Sequence, residues 1–203
     1  MLSRYASLAI LLGLVPLCTG APATQPVKPK PDERQIVDKT YGFTFNVPKL
    51  WQQLPQKGER SIYVFQLPAP GGMAKATSSW IVLAEPEKSA ANLEQLADRM
   101  RDNILTRTKD PKIESDKAVT LVGVEAWEFV YTMKMQVKTV REKGKEKLEE
   151  TEDVPTRVRC NVFLHGEASY QFILTSDEAG YPNRVKAADR MLKTFVLGAT
   201  TKP

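Results

Sequence analysis

The residues most capable of covalent chemistry in this chain are Cys160 and His165, five positions apart. His165 is the only histidine in the sequence, and Cys160 is one of two cysteines. A cysteine nucleophile needs its thiolate within hydrogen-bond reach of an activating base. Cys160 lies inside Arg157 to Leu164 (RVRCNVFL), which reads as an apolar strand, and His165 closes that strand beside Gly166. Five residues of strand span about 16 Å, so the two side chains cannot meet. Cys160 then reads as a small buried hydrophobe, and His165 as a solvent-exposed turn residue.

Other chemistries fail on number or spacing. A metal site needs several converging ligands, commonly His or Cys at short intervals, and one of each does not supply them. Paired carboxylates occur at Glu149-Glu150 and Glu152-Asp153. Pro155 and the neighbouring lysines argue against a calcium loop there, which needs a cage of oxygen ligands. The sequence contains no G-x-S-x-G elbow, no P-loop and no G-x-G-x-x-G fingerprint, the motifs that would mark hydrolase or nucleotide chemistry. Trp51, Trp80 and Trp127 could stack a ligand, but each falls at a core-facing strand or strand end, where burial is the expected role. No catalytic residue, metal or cofactor is therefore expected.

The elements that would carry these residues are mostly strands. The chain is organised around Leu121 to Val137, where Trp127, Phe129, Tyr131, Met133, Met135 and Val137 recur at every second position. Alternation with period two places them on one face of a long antiparallel strand. Shorter strands are predicted at Tyr41 to Val47, Ser61 to Leu67, Ser79 to Ala84, Ile113 to Leu121, Arg157 to Leu164 and Ala168 to Leu174. Pro48 ends the first of these, and Trp51 plugs the edge of the core. A first helix is predicted to follow Asn92, which with Gln95 resembles a capping box, or to start at Ser89 as the alternative, with Leu93, Leu96, Ala97, Met100 and Ile104 forming its apolar stripe. A second opens at Tyr181-Pro182, with Val185, Ala188, Met191, Leu192 and Phe195 as its stripe and Gly198 just beyond its end. The order β-β-β-α-β-β-β-β-α argues for an α+β fold with an antiparallel sheet.

Between the predicted strands lies an unusual stretch. From Lys138 to Asp153 there are five basic and six acidic residues, with Gly144 near the middle. A charged β-ribbon insertion over residues 138–156 is expected, its tip at Gly144. Dense charge of this kind keeps sheet edges from pairing with other chains. The alternative is a partner-contacting arm, for which Arg141, Lys143, Lys145 and Lys147 are the candidate contacts.

The N-terminus reads as an export signal. Arg4 precedes the apolar run Leu8 to Leu17, which is too short to cross a bilayer as a helix, and Ala21-Pro22-Ala23 supplies an A-x-A cleavage site. Residues 1–23 are thus expected to be a signal peptide, residues 24–35 a Pro-rich disordered tether, residues 36–197 one domain and residues 198–203 a tail. Cys18 raises the alternative of a lipid anchor, but Leu17 before it is the wrong size for that consensus. If Cys18 leaves with the signal, Cys160 is alone and no intrachain disulfide is possible. The formal net charge of +5 falls to +4 when Arg4 is removed, and both signs are interspersed. Nucleic-acid binders instead concentrate basic residues on one face, so nucleic acid is not an expected partner. No later apolar run is long enough to span a membrane.

Tyr41-Gly42-Phe43-Thr44-Phe45-Asn46-Val47-Pro48 followed by Trp51 resembles the YGFSF-x-x-P-x-x-W opening of PsbP-like domains. Val122-Gly123-Val124-Glu125-Ala126 resembles their G-x-x-A turn, and the closing helix ending at Phe195 resembles their terminal element. The resemblance runs from about Val37 to Leu197. It implies an α-β-α sandwich, a central antiparallel sheet flanked by helices. Members include extrinsic photosystem II subunits, bacterial envelope proteins and a nuclear Ran-binding factor, mostly non-enzymatic accessory or assembly proteins. No motif here supports attachment to a photosystem. The sequence is accordingly read as a secreted or periplasmic, non-catalytic binding or accessory module, with an unknown protein partner in the cell envelope and monomer as the default state. A hydrolase with an unrecognised active site and an envelope lipoprotein anchored through Cys18 are the alternatives.

Overall fold

The computed structural model describes residues 26–54, 61–66, 78–143 and 146–198, and for residues 61, 138–143 and 146–150 it describes the backbone alone. The expected signal peptide and the Cys18 anchor fall outside these residues.

The described strands form two antiparallel sheets. The larger has seven strands in the order β3-β4-β5-β9-β8-β7-β6. These are β3 (Gln52–Leu54), β4 (Ser61–Gln66), β5 (Ser79–Pro86), β6 (Lys112–Leu121), β7 (Val124–Lys143), β8 (Glu146–His165) and β9 (Ala168–Asp177). The smaller sheet has the order β1-β2-β10, from β1 (Glu33–Asp38), β2 (Phe43–Pro48) and β10 (Val196–Leu197). Two helices complete the described fold, α1 (Leu93–Arg107) and α2 (Tyr181–Leu192).

Strand alternation sorts the apolar side chains onto the two faces of the large sheet. One face carries Trp80, Val82 and Ala84 of β5, Phe163 of β8 and Tyr170, Phe172 and Leu174 of β9. It packs against Phe43, Phe45 and Val47 of β2 and against Ala188, Met191 and Leu192 of α2. Aromatic rings fill the junction: Phe195 stacks on Phe43 at 5.1 Å and meets Phe172 edge-on at 4.9 Å, arrangements that add to area burial. The opposite face carries Phe129 and Tyr131 of β7 and Val158, Cys160 and Val162 of β8, covered by Leu96, Ala97 and Ile104 of α1. The result is three layers, with α1 on one side of the large sheet and α2 plus the small sheet on the other.

The predicted starts and stripes of both helices are present. Asn92 Oδ1 accepts the Gln95 amide at 2.9 Å, and Gln95 Oε1 accepts the Ala91 amide at 2.9 Å, which satisfies two donors at the helix start. The C-terminal end differs from expectation. Helix α2 stops at Leu192, and Phe195 lies past a turn in which the Thr194 amide bonds Met191 O and the Phe195 amide bonds Leu192 O. Gly198 is therefore not the helix cap: it follows β10, and its amide donates to Gly42 O at 2.5 Å.

Three strands were not predicted. β1 begins at Glu33, inside the stretch assigned to the tether, and β3 and β10 contain three and two residues. A second sheet is thus added to the expected sandwich. Register carries the pairing of β7 with β8 on to Lys143↔Glu146. β6 pairs with β7 only as far as Lys112↔Thr132, and β9 with β8 only as far as Thr156↔Asp177.

Candidate functional site

An open cleft forms where α1 begins and the sheet ends. It is a cleft of about 700 Å³ lined by Asn92, Leu93, Glu94, Ala118, Val119, Thr120, Glu125 and Trp127. β6 is the outermost strand of the seven-stranded sheet, and register pairs its Ala118 with Trp127 and its Thr120 with Glu125, so these four residues share one face of the sheet. The first turn of α1 forms the opposing wall.

Trp127 is positioned in the cleft by a short polar chain. Its indole Nε1–H donates to Asp116 Oδ1 at 2.6 Å. Arg101 of α1 grips the same carboxylate, Nε to Oδ2 at 2.5 Å and Nη2 to Oδ1 at 3.0 Å, and lies over the Phe129 ring at 5.9 Å. The Arg101 bond, assisted by Trp127, holds the Asp116 carboxyl below its ordinary range although burial opposes this. A bidentate arginine fixes direction as well as distance, so α1, β6 and β7 are tied at one point beside the indole. Glu94 and Glu125 are exposed, and no described ion pair engages either. Thr120 carries the lining's hydroxyl. These groups can stack an aromatic or cationic group, accept hydrogen bonds and attract positive charge. The described lining brings no base to Thr120 beyond these two carboxylates.

The residues singled out from the sequence are placed as follows. Cys160 is buried on the α1 face, and burial pushes its thiol up to about 12, so it is a packed hydrophobe rather than a nucleophile. His165 is not a fully solvated turn residue: it ends β8 half-buried, its ring 6.4 Å from that of Tyr170. The turn proper is Gly166-Glu167, with Gly166 at φ 62°. Trp80 and Trp51 are core residues, their rings 6.3 Å apart, but Trp127 is only partly buried and is the correction among the three. Register places Arg141 opposite Leu148, Lys143 opposite Glu146 and Lys147 opposite Glu142, while Lys145 lies outside the described residues. Among the described residues, no group of three or more His, Cys, Asp or Glu side chains could hold a metal ion, and no helix is long and apolar enough to cross a membrane.

Sequence reasoning missed the cleft. It placed Trp127 on the correct face of β7 but could not show that α1 starts too late to cover it. The available signal was Asn92, which fixes where α1 begins.

No family model and no curated protein matches the chain. Solved structures do. The chain is similar to cyanobacterial PsbP from Synechocystis at 13% identity and TM-score 0.54, covering 92% of this chain and 98% of that one. It is similar to LpqN, described as involved in cell envelope biogenesis of Mycobacterium tuberculosis, at 12% identity and TM-score 0.54, covering 82% and 91%. It is also similar to the Ran-binding protein Mog1p of Saccharomyces cerevisiae, at 10% identity and TM-score 0.50, covering 81% and 95%. The fold is PsbP/Mog1-like, as the residues from Tyr41 to Trp51 led one to expect; at these identities the likeness concerns the fold alone.

Proposed function

We propose that this chain is an exported, non-catalytic accessory module that holds an extended segment of a protein partner in the cell envelope. The observation that carries the reading is the cleft beside Trp127: an aromatic face and two carboxylates against the outermost strand of the large sheet. An extended peptide can add to a sheet edge through its main chain while alternate side chains enter pockets. With Glu94 and Glu125 on the walls, the side chain that suits this pocket is a lysine or arginine lying against the indole. Export rests on Arg4, the Leu8–Leu17 run and Ala21-Pro22-Ala23. The described role of LpqN in cell envelope biogenesis supports that setting without naming a partner. The charged stretch is a second candidate contact: beyond Thr132 and Thr156, β7 and β8 pair only with each other, so Arg141, Lys143, Lys145 and Lys147 would sit on a two-stranded arm.

Titration with an alternating lysine–valine peptide tests the cleft. Glu94→Gln with Glu125→Gln should weaken binding about tenfold, given rim charges in partial solvent, and Trp127→Ala should weaken it further. Reversal of Lys143 and Lys147 to Glu should leave it unchanged. A loss caused by the arm reversal but not by the cleft substitutions would move the function to the arm. Turnover of an ester or peptide substrate that vanishes with Thr120→Ala would replace this reading with the hydrolase alternative.

A further inference from the structure

The small sheet has a face that the core does not use. Phe43, Phe45 and Val47 of β2 are buried against the large sheet, so alternation turns Thr44 and Asn46 to the other side, where Asn46 is itself buried. Register sets Val37 and Gln35 of β1 beside them on that outer side. The N-terminal described segment returns across it, with Asn46 Nδ2 donating to Val27 O at 2.9 Å. At one end of the face the Lys49 amide donates to Asp32 O at 2.9 Å, and its Nζ donates to Pro31 O at 2.6 Å. Leu50 follows directly.

Two properties coincide on this face. Three of the four large apolar side chains that are strongly exposed among the described residues belong to these segments: Val37 at 53% on β1, Val27 at 44% on the segment bonded to Asn46, and Leu50 at 83% just after β2. Lys28, Lys30, Lys39 and Lys49 of the same segments are all exposed. The acids of these segments are Asp38, buried and accepting from Tyr41 N and Tyr63 OH, Glu33, which accepts the Lys30 amide, and the exposed Asp32. Exposed apolar side chains together with lysines match the interface of an anionic bilayer, where the apolar groups enter the headgroup boundary and the lysines meet lipid phosphates.

We infer that the outer face of the small sheet seats the protein on an anionic lipid surface. Because α1 and the Trp127 cleft lie on the opposite side of the large sheet, the cleft then faces away from the bilayer. This inference stands independently of what the cleft holds.

The test uses the processed protein purified from cells that make it, with an environment-sensitive fluorophore on Leu50→Cys. The buried Cys160 thiol does not compete for the label. Leu105→Cys on α1, where Leu105 is 51% exposed, is the control. With vesicles of mixed phosphatidylglycerol and phosphatidylcholine, the Leu50 label should brighten and shift to the blue while the Leu105 label does not respond. Lys28→Glu with Lys30→Glu and Lys49→Glu should lower vesicle partitioning on the order of a hundredfold, and raising salt should weaken it. Equal responses from both labels, equal binding to pure phosphatidylcholine, or no response would overturn the inference. Concentration-dependent self-association with no vesicle response would also overturn it, assigning the face to a second copy.

Discussion

At the scale of single residues, two positions show how little freedom this fold leaves. Cys160 is enclosed by β7, β8 and α1, and burial alone lifts its thiol to about 12. At about pH 8, near the ordinary thiol range, the thiolate is therefore scarce and unreachable, so a thiol-specific reagent should leave Cys160 unmodified in the native protein and modify it fully in denaturant. Rapid native modification would contradict the packing described. Gly198 is constrained differently. A Cβ added there would stand 2.6 Å from Gly42 O, a backbone atom that cannot turn aside. The same carbonyl accepts the Gly198 amide, which closes β10 onto β2. Gly198→Ala should cost about 2 kcal/mol and lower Tm by about 4–8 °C, measured by thermal unfolding.

At the scale of elements, the junction between β5 and α1 is held by one carboxylate. Glu87 Oε1 accepts the Ser89 and Ala90 amides at 2.8 and 2.9 Å, and the carboxylate forms an ion pair with Arg99 from the middle of α1. The Arg99 bond, helped by those amides, holds the Glu87 carboxyl far below the usual carboxylate range against the opposing effect of burial. A depressed folded-state pKa contributes stability above the unfolded value, about 4.3, and loses it as pH falls through the folded value. Arg99 is partly solvated, which weakens the pair. Glu87→Gln should cost about 1–2 kcal/mol at neutral pH, a drop of about 3–6 °C, and the gap to wild type should narrow in strong acid. A gap independent of pH would show that Glu87 acts by shape alone. The elements readable in advance were those with a long pattern: α1 from Asn92, Gln95 and its stripe, and β7 from six alternating apolar residues. β1, β3 and β10 were not readable. Their sequences ERQIVD, QQL and VL are too short or too polar to show a period, and partners distant in sequence define them, as when Val196 pairs with Thr44.

At the scale of the molecule, the sequence resemblance and the two apolar faces of the large sheet led to the same layered fold. The second small sheet and the cleft emerged only in three dimensions. The cleft exists because α1 starts at Leu93 while β6 and β7 run on past it to their turn at Val122-Gly123. That offset leaves Trp127 half-covered on the sheet face, held by Asp116 and Arg101 and paired across the strands with Ala118 of the outermost strand. We propose that this cleft, and not a reacting group, is what the protein offers. Amide NMR spectra recorded while titrating the alternating lysine–valine peptide test it most directly. The account predicts shifts confined to Leu93, Glu94, Ala118 to Thr120, Glu125 and the Trp127 indole, abolished by Glu94→Gln with Glu125→Gln. Shifts that leave β6 untouched and gather around His165 or along residues 138–150 would contradict it.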